Sequence, residues 1–406
     1  MVIETASQIS GSTGYGDAEG YLVGGGIGGL CLAQALKRTG VPFVLFEQDA
    51  TLGARDRGHR LRIDAAGQDA LARCVPVDLL YLVHRTASLA EPGPWFVDSR
   101  LRPVQWPISG GWTTRGNAVA DICVHGQTMR EILASGLEEH IRFDHALIEY
   151  EESAEGVTAR FANGHGERGT LLVGADGIGS AVRRQLLPGV VPEDTGLACI
   201  NGRTTATIAN CRAIGPEICA GSAAVVADGF LGVIDLMFFR DPMPRLAAQI
   251  VPDCRITDVP EYFHWALTGT RACLGVETLP GTPRELDGIV RQLVRDWDPA
   301  LQAVFLRGDP AEWAVHPVCS LWPDRAWQSQ RVTLLGDAIH AMSPANGSGM
   351  VTALCDAADL SGCLARAGRG EGRVAMLEAY AVTMRERAID AVRAVSADGS
   401  RLAAAA

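Results

Sequence analysis

The stretch YLVGGGIGGLCLAQALKRTGVPFVLFE, residues Tyr21–Glu47, restricts the possible folds of this chain more than any other. Its apolar runs and its helical spacing predict a strand, a glycine turn, a helix that ends at Gly40, and a second strand. Glu47 closes the second strand about twenty residues after the turn, where an acidic side chain accepts hydrogen bonds from a ribose. The arrangement predicts a βαβ unit that binds a dinucleotide, and a purely structural turn is the alternative.

The turn carries the glycine pattern G-x-G-x-x-G, which has a separate physical task at each position. Its first glycine allows a tight turn, its second lets a pyrophosphate approach the backbone, and its third lets helix and strand pack closely. The helix N-terminus also offers free N–H groups to phosphate. The residues expected to contact the dinucleotide here are Gly24, Gly26, Ile27, Gly28 and Gly29.

Composition restricts the class of protein. The chain has 406 residues, 47% hydrophobic and 20% charged, which is typical of a globular protein large enough for two domains. A net charge of −11 argues against nucleic acid as a partner. No uninterrupted apolar span and no signal peptide are evident, and the eleven cysteines show no C-x-x-C pair. We therefore expect a cytoplasmic protein with reduced thiols, no metal site and no membrane span.

The middle of the chain changes character. Alternating runs at Ala223–Val226, Val233–Phe239 and Tyr262–Leu267 predict antiparallel strands, and 286–297 predicts a helix. Aromatic and methionine side chains in these segments and in the proline-rich segment 87–114 are candidates for a substrate chamber, and core packing is the alternative for each. The substrate candidates are Trp95, Trp106, Met237 and Phe239.

Three motifs follow one another at wide spacing: GGGIGG at Gly24–Gly29, GADGIGSAVR at Gly174–Arg183, and LLGDAIHAMSPANGSGM at Leu334–Met350. In this order they resemble the class A FAD-dependent monooxygenases, the p-hydroxybenzoate hydroxylase type of aromatic hydroxylase. The segment LEAYAVTMRERA at 377–388 is similar to the C-terminal helix of that family. The resemblance covers residues from about 20 to 396.

The resemblance implies an α/β fold. A Rossmann-like FAD-binding domain of the glutathione reductase type, a parallel sheet with a small antiparallel meander, would comprise residues 18–86, 115–190 and 318–396. An antiparallel-sheet substrate domain would comprise 87–114 and 191–317, and a long helix would end the chain. Residues 1–17 and 397–406 are expected to be mobile tails. The strands of the meander are expected at 141–150, 157–161 and 170–173.

The resemblance also assigns cofactor contacts. The late motif would hold the ribityl or pyrophosphate region of FAD through Gly336 and Asp337, and the edge of its flavin ring through Pro344, Gly347, Gly349 and Met350. Asp176 would support flavin and nicotinamide, or only cap a helix, and Arg183 is either a surface charge or a phosphate contact. Where the family usually has an FAD-binding arginine, this chain has Gly126, with Arg130 one turn later as a partial replacement. Many members also have asparagine at the position of Met350.

The arginines of the loop 51–60 have a functional and a structural interpretation. NADPH or NADH would dock near the flavin, and Arg55 lies where some family members use an arginine for its phosphate. Arg60 is assigned to the cofactor site. A solvated charged loop is the alternative.

The activity implied is that of a monooxygenase that uses FAD and NADPH or NADH. A flavin hydroperoxide would transfer one oxygen atom from O₂ to an aromatic or polyunsaturated small molecule, in natural-product biosynthesis or aromatic degradation. Hydroxylation, epoxidation and Baeyer–Villiger insertion stay open, as do a monomer and a homodimer. A flavin reductase or desaturase of the same fold and a non-catalytic flavin-binding partner are the alternatives. No catalytic residue is assigned: His59, His84, His264 and His316 are candidates, and His340 is expected to orient the late motif.

Overall fold

A computed structural model describes residues 20–54, 58–89, 95–105, 119–227, 229–344, 347–367 and 371–404. The assignments of Arg55 to the nicotinamide and of Trp106 to the substrate lie outside these residues, as does the predicted tail 1–17.

The strands of the described residues are short except in the second half of the chain. They are β1 (Gly20–Val23), β2 (Phe43–Phe46), β3 (Leu61–Ile63), β4 (Ser88–Leu89), β5 (Trp95–Val97), β6 (Ile122–Val124), β7 (Ile141–Arg142), β8 (Leu147–Ser153), β9 (Gly156–Phe161), β10 (Gly166–Gly169), β11 (Leu171–Gly174), β12 (Glu193–Thr205), β13 (Ser222–Ala227), β14 (Phe230–Met237), β15 (Tyr262–Thr270), β16 (Ala314–Ser320) and β17 (Val332–Leu334).

The helices vary from one turn to more than thirty residues. They are α1 (Ile27–Thr39), α2 (Ala65–Cys74), α3 (Val77–Thr86), α4 (Gly126–Ala134), α5 (Ala181–Leu186), α6 (Ile208–Ile214), α7 (Pro216–Cys219), α8 (Met243–Ile250), α9 (Pro283–Leu293), α10 (Pro299–Leu306), α11 (Asp337–His340), α12 (Ser348–Arg366) and α13 (Glu371–Ala404), with a 3₁₀ helix at Pro310–Glu312.

A five-stranded parallel sheet carries the three motifs. Its strand order is β17-β11-β1-β2-β7, and every neighbouring pair is parallel. Strands β1, β2, β11 and β17 are apolar and fully buried, because α1 packs against this sheet and Tyr21 and Phe46 pack against the antiparallel meander described below. Each motif directly follows one of the adjacent strands β1, β11 and β17, so all three meet at one edge of the sheet.

The meander is formed by β8, β9 and β10, which pair in antiparallel order. Residues 147–150 and 157–161 belong to it as predicted, but the prediction is wrong for 141–142 and for 170–173. Residues Ile141–Arg142 and Leu171–Gly174 pair with the parallel sheet instead, because their apolar side chains are buried beside β2 and β1.

A six-stranded sheet of order β16-β12-β15-β14-β13-β5 forms the second layer. Its long strands β12, β14 and β15 are antiparallel neighbours, as the alternating runs predict. One face packs under α6, α7, α9 and α10 around a core that includes Trp265, Phe305 and Phe263. The other face looks toward the parallel sheet.

The segment from Met237 to Val259 packs into the first core, with the parallel sheet, and not into the second. Helix α8 lies against α3 and α4 there. Met237 is fully buried at the end of β14, opposite Tyr262, and Phe239 is 7% exposed. The assignment of Met237 and Phe239 to the substrate is therefore wrong. The division of the chain into domains stays a prediction.

Helix α13 extends to Ala404 and so includes most of the predicted C-terminal tail 397–406. Helix α3 was not predicted, nor was β12 as a thirteen-residue strand. Among the described residues, the helices are all too short or too polar to cross a membrane.

Candidate cofactor and substrate site

A cavity of about 1240 Å³ lies between the parallel sheet and the face of the six-stranded sheet that is not covered by α6, α7, α9 and α10. It exceeds the roughly 300–1,000 Å³ of a common small-molecule pocket, so it has room for a long cofactor together with a second molecule. All three motifs reach it. Of the predicted cofactor residues it is lined by Gly24, Gly26, Ile27, Gly28, Gly29, Glu47, Arg60, Arg130, Asp176, Gly336, Asp337, Pro344, Gly347, Gly349 and Met350.

The glycines of the first turn are needed for different reasons. Gly24 has φ of +111°, and a Cβ there would lie 2.2 Å from the carbonyl oxygen of Ala175. Gly26 has φ of −74°, and a Cβ there would have no atom within 4 Å. The protein itself therefore demands Gly24, whereas Gly26 borders open space at the N-terminus of α1. Gly26 has no side-chain cap for that helix, so its first N–H groups are free for an anionic ligand.

Glu47 lies beside the turn, 5% exposed. Its Oε2 accepts a hydrogen bond of 2.6 Å from the Gly25 N–H, and its Oε1 accepts one of 2.9 Å from the Asp49 N–H. These bonds fix the carboxylate at the cavity wall and leave lone pairs on both oxygens. The position suits a ribose hydroxyl, as the motif predicts.

Arg130 reaches the same place from α4, which begins at Gly126. The side chain is 5% exposed, and it donates from Nε to the carbonyl of Gly25 at 3.2 Å and from Nη1 to that of Leu52 at 3.0 Å. The guanidinium thus stands against the glycine turn although the first residue of the helix is glycine. That Arg130 replaces the arginine usual at position 126 stays a prediction.

Asp176 caps α5 while it borders the cavity. Its Oδ1 accepts from the Ser180 hydroxyl at 2.6 Å, and its Oδ2 accepts from the Ala181 N–H at 2.7 Å. Burial raises the pKa of this carboxyl, and these hydrogen bonds oppose that shift. The capping role is present, and a cofactor role would be additional to it.

Arg183 joins the second motif to the third. It is 2% exposed, and it donates from Nη2 to the Ile178 carbonyl at 2.7 Å and from Nη1 to the Ala338 carbonyl at 2.8 Å. The interpretation of Arg183 as a surface charge is wrong, and its guanidinium does not line the cavity. It ties the loop before α5 to α11, and so positions both motifs.

Asp337 opens on the cavity at the start of α11, directly after Gly336, whose φ is +62°. Solvent reaches the carboxylate through the cavity, yet protein surrounds it on the other sides, and this burial raises its pKa although nearby His340 opposes the shift. The Cα of Gly349 faces it closely enough that a Cβ would lie 3.8 Å from Oδ1. The carboxylate of Asp337 and Gly349, near the start of α12, thus form the second end of the cavity.

His340 lies beneath this end and is inaccessible. Its Nε2 is 2.6 Å from Oδ2 of Asp356, which also accepts from the Gly336 N–H at 3.0 Å. Arg387 of α13 donates to Oδ1 of Asp356 at 2.9 Å. The histidine orients the late motif, as its place in the sequence predicts.

The opposite wall is the face of the six-stranded sheet, from which alternate residues of β12, β14, β15 and β16 point into the cavity. Sequence reasoning assigned no role to most of them, although the period of two in β12 was a usable signal. Trp95 is not among them: it is half-buried on β5, the far edge strand, against the second core. The lining residues are Cys199, Asn201, Arg203, Leu231, Val233, His264, Ala266, Thr268, Ala314, His316 and Val318.

The donor set fits FAD. A glycine turn with an uncapped helix and Glu47 suits the adenosine and phosphate end, and Asp337 with the backbone at Gly347–Met350 suits the flavin end. The open space beside Gly26 would be filled by the methyl group of an alanine at that position. Both ends belong to one cavity, which a single elongated molecule could occupy.

Comparison with known proteins agrees with this geometry. Residues 283–395 match the family model described as FAD binding domain, and residues 22–68 match the NAD(P)-binding Rossmann-like domain. Over 409 residues the chain is 32% identical to the dual O-methyltransferase/FAD-dependent monooxygenase CTB3 of Cercospora beticola, covering 95% of this chain and 46% of that protein. The chain thus spans about half the length of the first such relatives.

Two further proteins match over most of their own length. The FAD-dependent monooxygenase cctM of Talaromyces islandicus is 28% identical, with 83% of this chain and 80% of that protein covered. A crystal structure described as an FAD-containing monooxygenase, from Photorhabdus luminescens subsp. laumondii, is 26% identical and covers 95% of this chain and 98% of that one, with a TM-score of 0.79. With the three motifs gathered at one cavity, these likenesses show that the chain belongs to the class A FAD-dependent monooxygenase family.

Proposed function

We propose that this protein uses FAD and NADPH or NADH to insert one oxygen atom of O₂ into an aromatic or polyunsaturated small molecule. The observation that carries the proposal is the cavity that joins all three motifs to a sheet face with both apolar and polar side chains. When bound, FAD supplies the redox chemistry: it takes two electrons from the nicotinamide and activates O₂, whose second oxygen atom leaves as water.

The residues of the chain bind, orient and exclude water. The N–H groups at the start of α1 hold phosphate, Glu47 holds ribose, and Asp337 with the backbone of Gly347 and Gly349 holds the flavin end. Arg130 supports the glycine turn from behind. The substrate occupies the remaining space against β12, β14 and β15, where Leu231, Val233 and Ala266 keep water away from the reacting atoms.

Hydroxylation or epoxidation is the outcome we propose. The relatives that carry the name FAD-dependent monooxygenase support oxygen transfer over the reductase, desaturase and binding-partner alternatives. The methyltransferase half in the name of CTB3 is not assigned to this chain.

The test is oxygen uptake coupled to nicotinamide oxidation by the FAD-loaded protein. We expect at least one member of a panel of hydroxylated arenes and polyenes to accelerate both, with one O₂ consumed per nicotinamide and a product 16 mass units heavier. Nicotinamide oxidation without oxygen in the product, under anaerobic conditions as well as in air, would instead establish a reductase. A loaded protein that oxidises no nicotinamide with any compound would contradict an enzymatic role.

A further inference from the structure

Four aromatic rings form a continuous row from the cavity into the second core. Between ring centroids, Trp313 lies 5.1 Å from Trp265, and Trp265 lies 5.2 Å from Phe305. Phe305 lies 5.4 Å from Trp297. Each contact is edge-to-face, an arrangement that aromatic pairs prefer. This tryptophan row therefore joins three indoles, with Phe305 between the second and the third.

The two ends of the tryptophan row have different surroundings. Trp313 lines the cavity, as do Asp337 and Gly349 at its flavin end. Trp265 is inaccessible within the second core. Trp297 is 4% exposed, and the two residues before it in the chain are exposed. The row thus leads from the cavity, through the core, to a point just beneath the protein surface.

Gly202 of β12 makes the contact between the first two indoles possible. A Cβ at this position would lie 2.5 Å from a ring atom of Trp265 and 2.5 Å from one of Trp313. Its φ lies outside the left-handed region, so the close approach of the rings requires glycine here, and the backbone conformation does not. Gly308 is restricted as well, because a Cβ there would lie 3.0 Å from Nε1 of Trp313. A glycine inside a strand weakens it and often marks such a close approach.

The indole N–H groups of the tryptophan row are buried, and among the described residues none of the three has a hydrogen-bond partner. A buried donor in this state is uncommon and requires an explanation, of which a redox role is one. Indole is among the most easily oxidised side chains, and an indole that has lost an electron is a strong acid at its N–H. Without an acceptor the nitrogen keeps its proton, so the positive charge can pass on from ring to ring.

We propose that the tryptophan row carries an oxidising equivalent from the cavity to the protein surface, one electron at a time, and so protects the cavity from oxidative damage. The oxidant is an oxygen-centred radical formed when activated O₂ meets no substrate, or FAD that has absorbed light. This activity is additional to the proposed oxygen transfer and uses side chains to which that function assigns no role.

Each step of the relay moves one electron. Trp313 gives an electron to the oxidant: an oxygen-centred radical becomes an anion that takes a proton from water, and excited FAD is reduced by one electron. Trp265 then reduces Trp313, and Trp297 reduces Trp265 across the ring of Phe305, which is too difficult to oxidise to hold the charge itself. A thiol or ascorbate in the solvent finally reduces Trp297. The three indoles are thereby restored, and the solvent donor is the molecule oxidised.

Flash photolysis of the FAD-loaded protein, without O₂ or nicotinamide, tests the relay in the unsubstituted chain. A light pulse turns the flavin into the oxidant, and absorbance then follows the indole radical. We expect a long-lived radical whose decay rate rises in proportion to added ascorbate, because the charge has moved to Trp297. A radical that decays at the same rate with and without ascorbate, or no indole radical at all, would overturn the proposal.

Variants then locate the path of the electron. Trp265→Phe keeps an aromatic ring in the core but interrupts the relay, so the ascorbate-dependent decay should be lost while Trp313 still quenches the flavin fluorescence. Trp297→Phe, nearer the surface, should also lose that decay and serves if Trp265→Phe does not fold. Trp95→Phe, outside the row on β5, is the matched control and should retain the full response.

The outcomes are independent of the proposed function, since the flash experiment needs bound FAD and no substrate. FAD content and Tm are measured for every variant, so that a loss of cofactor or of folding is not mistaken for a loss of the relay. If Trp265→Phe and Trp297→Phe bind FAD and both keep the ascorbate response, then ascorbate reaches the charge through the cavity, and the relay is overturned.

Discussion

Gly24 and Gly26 belong to one sequence pattern, and the folded chain requires them for different reasons. At Gly24 both the backbone conformation and the carbonyl of Ala175 exclude a side chain. At Gly26 the backbone conformation is open to any residue, and the space outside it is empty of protein atoms. The requirement for glycine at position 26 therefore comes only from the ligand.

Gly26→Ala should separate folding from cofactor binding. We expect the Tm of the cofactor-free protein to stay unchanged, because the added methyl meets no protein atom. The affinity for FAD should fall at least about tenfold, because the pyrophosphate can no longer approach the backbone. A thermal melt of the cofactor-free protein measures the Tm, and isothermal titration of that protein with FAD measures the affinity.

Gly288→Ala is the control for that substitution. It lies in α9, also without neighbours around the new Cβ, and should stabilise the protein by up to about 1 kcal/mol with no effect on FAD. Equal FAD affinity in Gly26→Ala and in the unsubstituted protein would show that the phosphates bind elsewhere.

At the scale of elements, one buried carboxylate connects three helices. Asp356 of α12 bonds His340 of α11 and Arg387 of α13, and it also accepts from the N–H of Gly336. Arg387 continues to Asp359 at 2.7 Å, nearer the surface. The helices that position the late motif are thus held together by ion pairs and hydrogen bonds as well as by apolar packing.

Removal of this carboxylate should be costly. Asp356→Asn leaves His340 and Arg387 with a weaker partner inside the protein, and we expect the free energy of unfolding to fall by about 3 kcal/mol. Denaturation by urea at neutral pH measures it. Asp359→Asn is the control: it removes a bond to the same arginine from a side chain that is 27% exposed, and should cost under about 1 kcal/mol.

The same network sets a dependence on pH. The carboxylate of Asp356 raises the pKa of His340, so the stabilisation is present below the ordinary pKa of about 6.5 and is lost as the pH rises through the raised value. The pKa of Asp356 is lowered, mainly by His340, so its stabilisation is lost only in acid. We expect stability to decline on the alkaline side, and Asp356→Asn to flatten that decline. A parallel decline in both proteins would contradict the assignment.

On the scale of the whole molecule, strands from distant parts of the chain bring the two ends of the cavity together. Strand β17 pairs with β11, and β11 with β1, so Asp337 and Gly26 border one space although some three hundred residues separate them. FAD that touches both ends should stabilise the entire fold by mass action, by about 4 kcal/mol at a thousand times its Kd.

The two ends can be tested separately with FAD and with ADP, which is only one half of it. In thermal melts of the cofactor-free protein we expect both to raise the Tm. Asp337→Ala should abolish most of the extra rise that FAD produces over ADP, and Gly26→Ala should diminish both rises. A full FAD response in Asp337→Ala would show that the late motif does not hold the flavin end.

The local hydrophobic pattern was sufficient to predict several helices and strands. The helix predicted to end at Gly40 agrees with α1, and the alternating runs at Ala223–Val226 and Tyr262–Leu267 lie within β13 and β15. These segments have a strong hydrophobic period, and Gly40 gives α1 a clear C-terminal boundary. The brief strands β7 and β11 were assigned to the wrong sheet, because a short apolar run does not specify its partner.

The amino-acid order alone determined the βαβ unit, the alternation of the long strands and the family. Those features depend on contacts between residues near one another in the chain, and on glycines whose conformations few other residues adopt. Only the tertiary structure decided that Arg183 is a buried link, that Met237 and Phe239 are core, and that Arg203, His264 and Asp235 are register neighbours in the six-stranded sheet. The register between strands sets these outcomes, and it depends on how distant segments pack together.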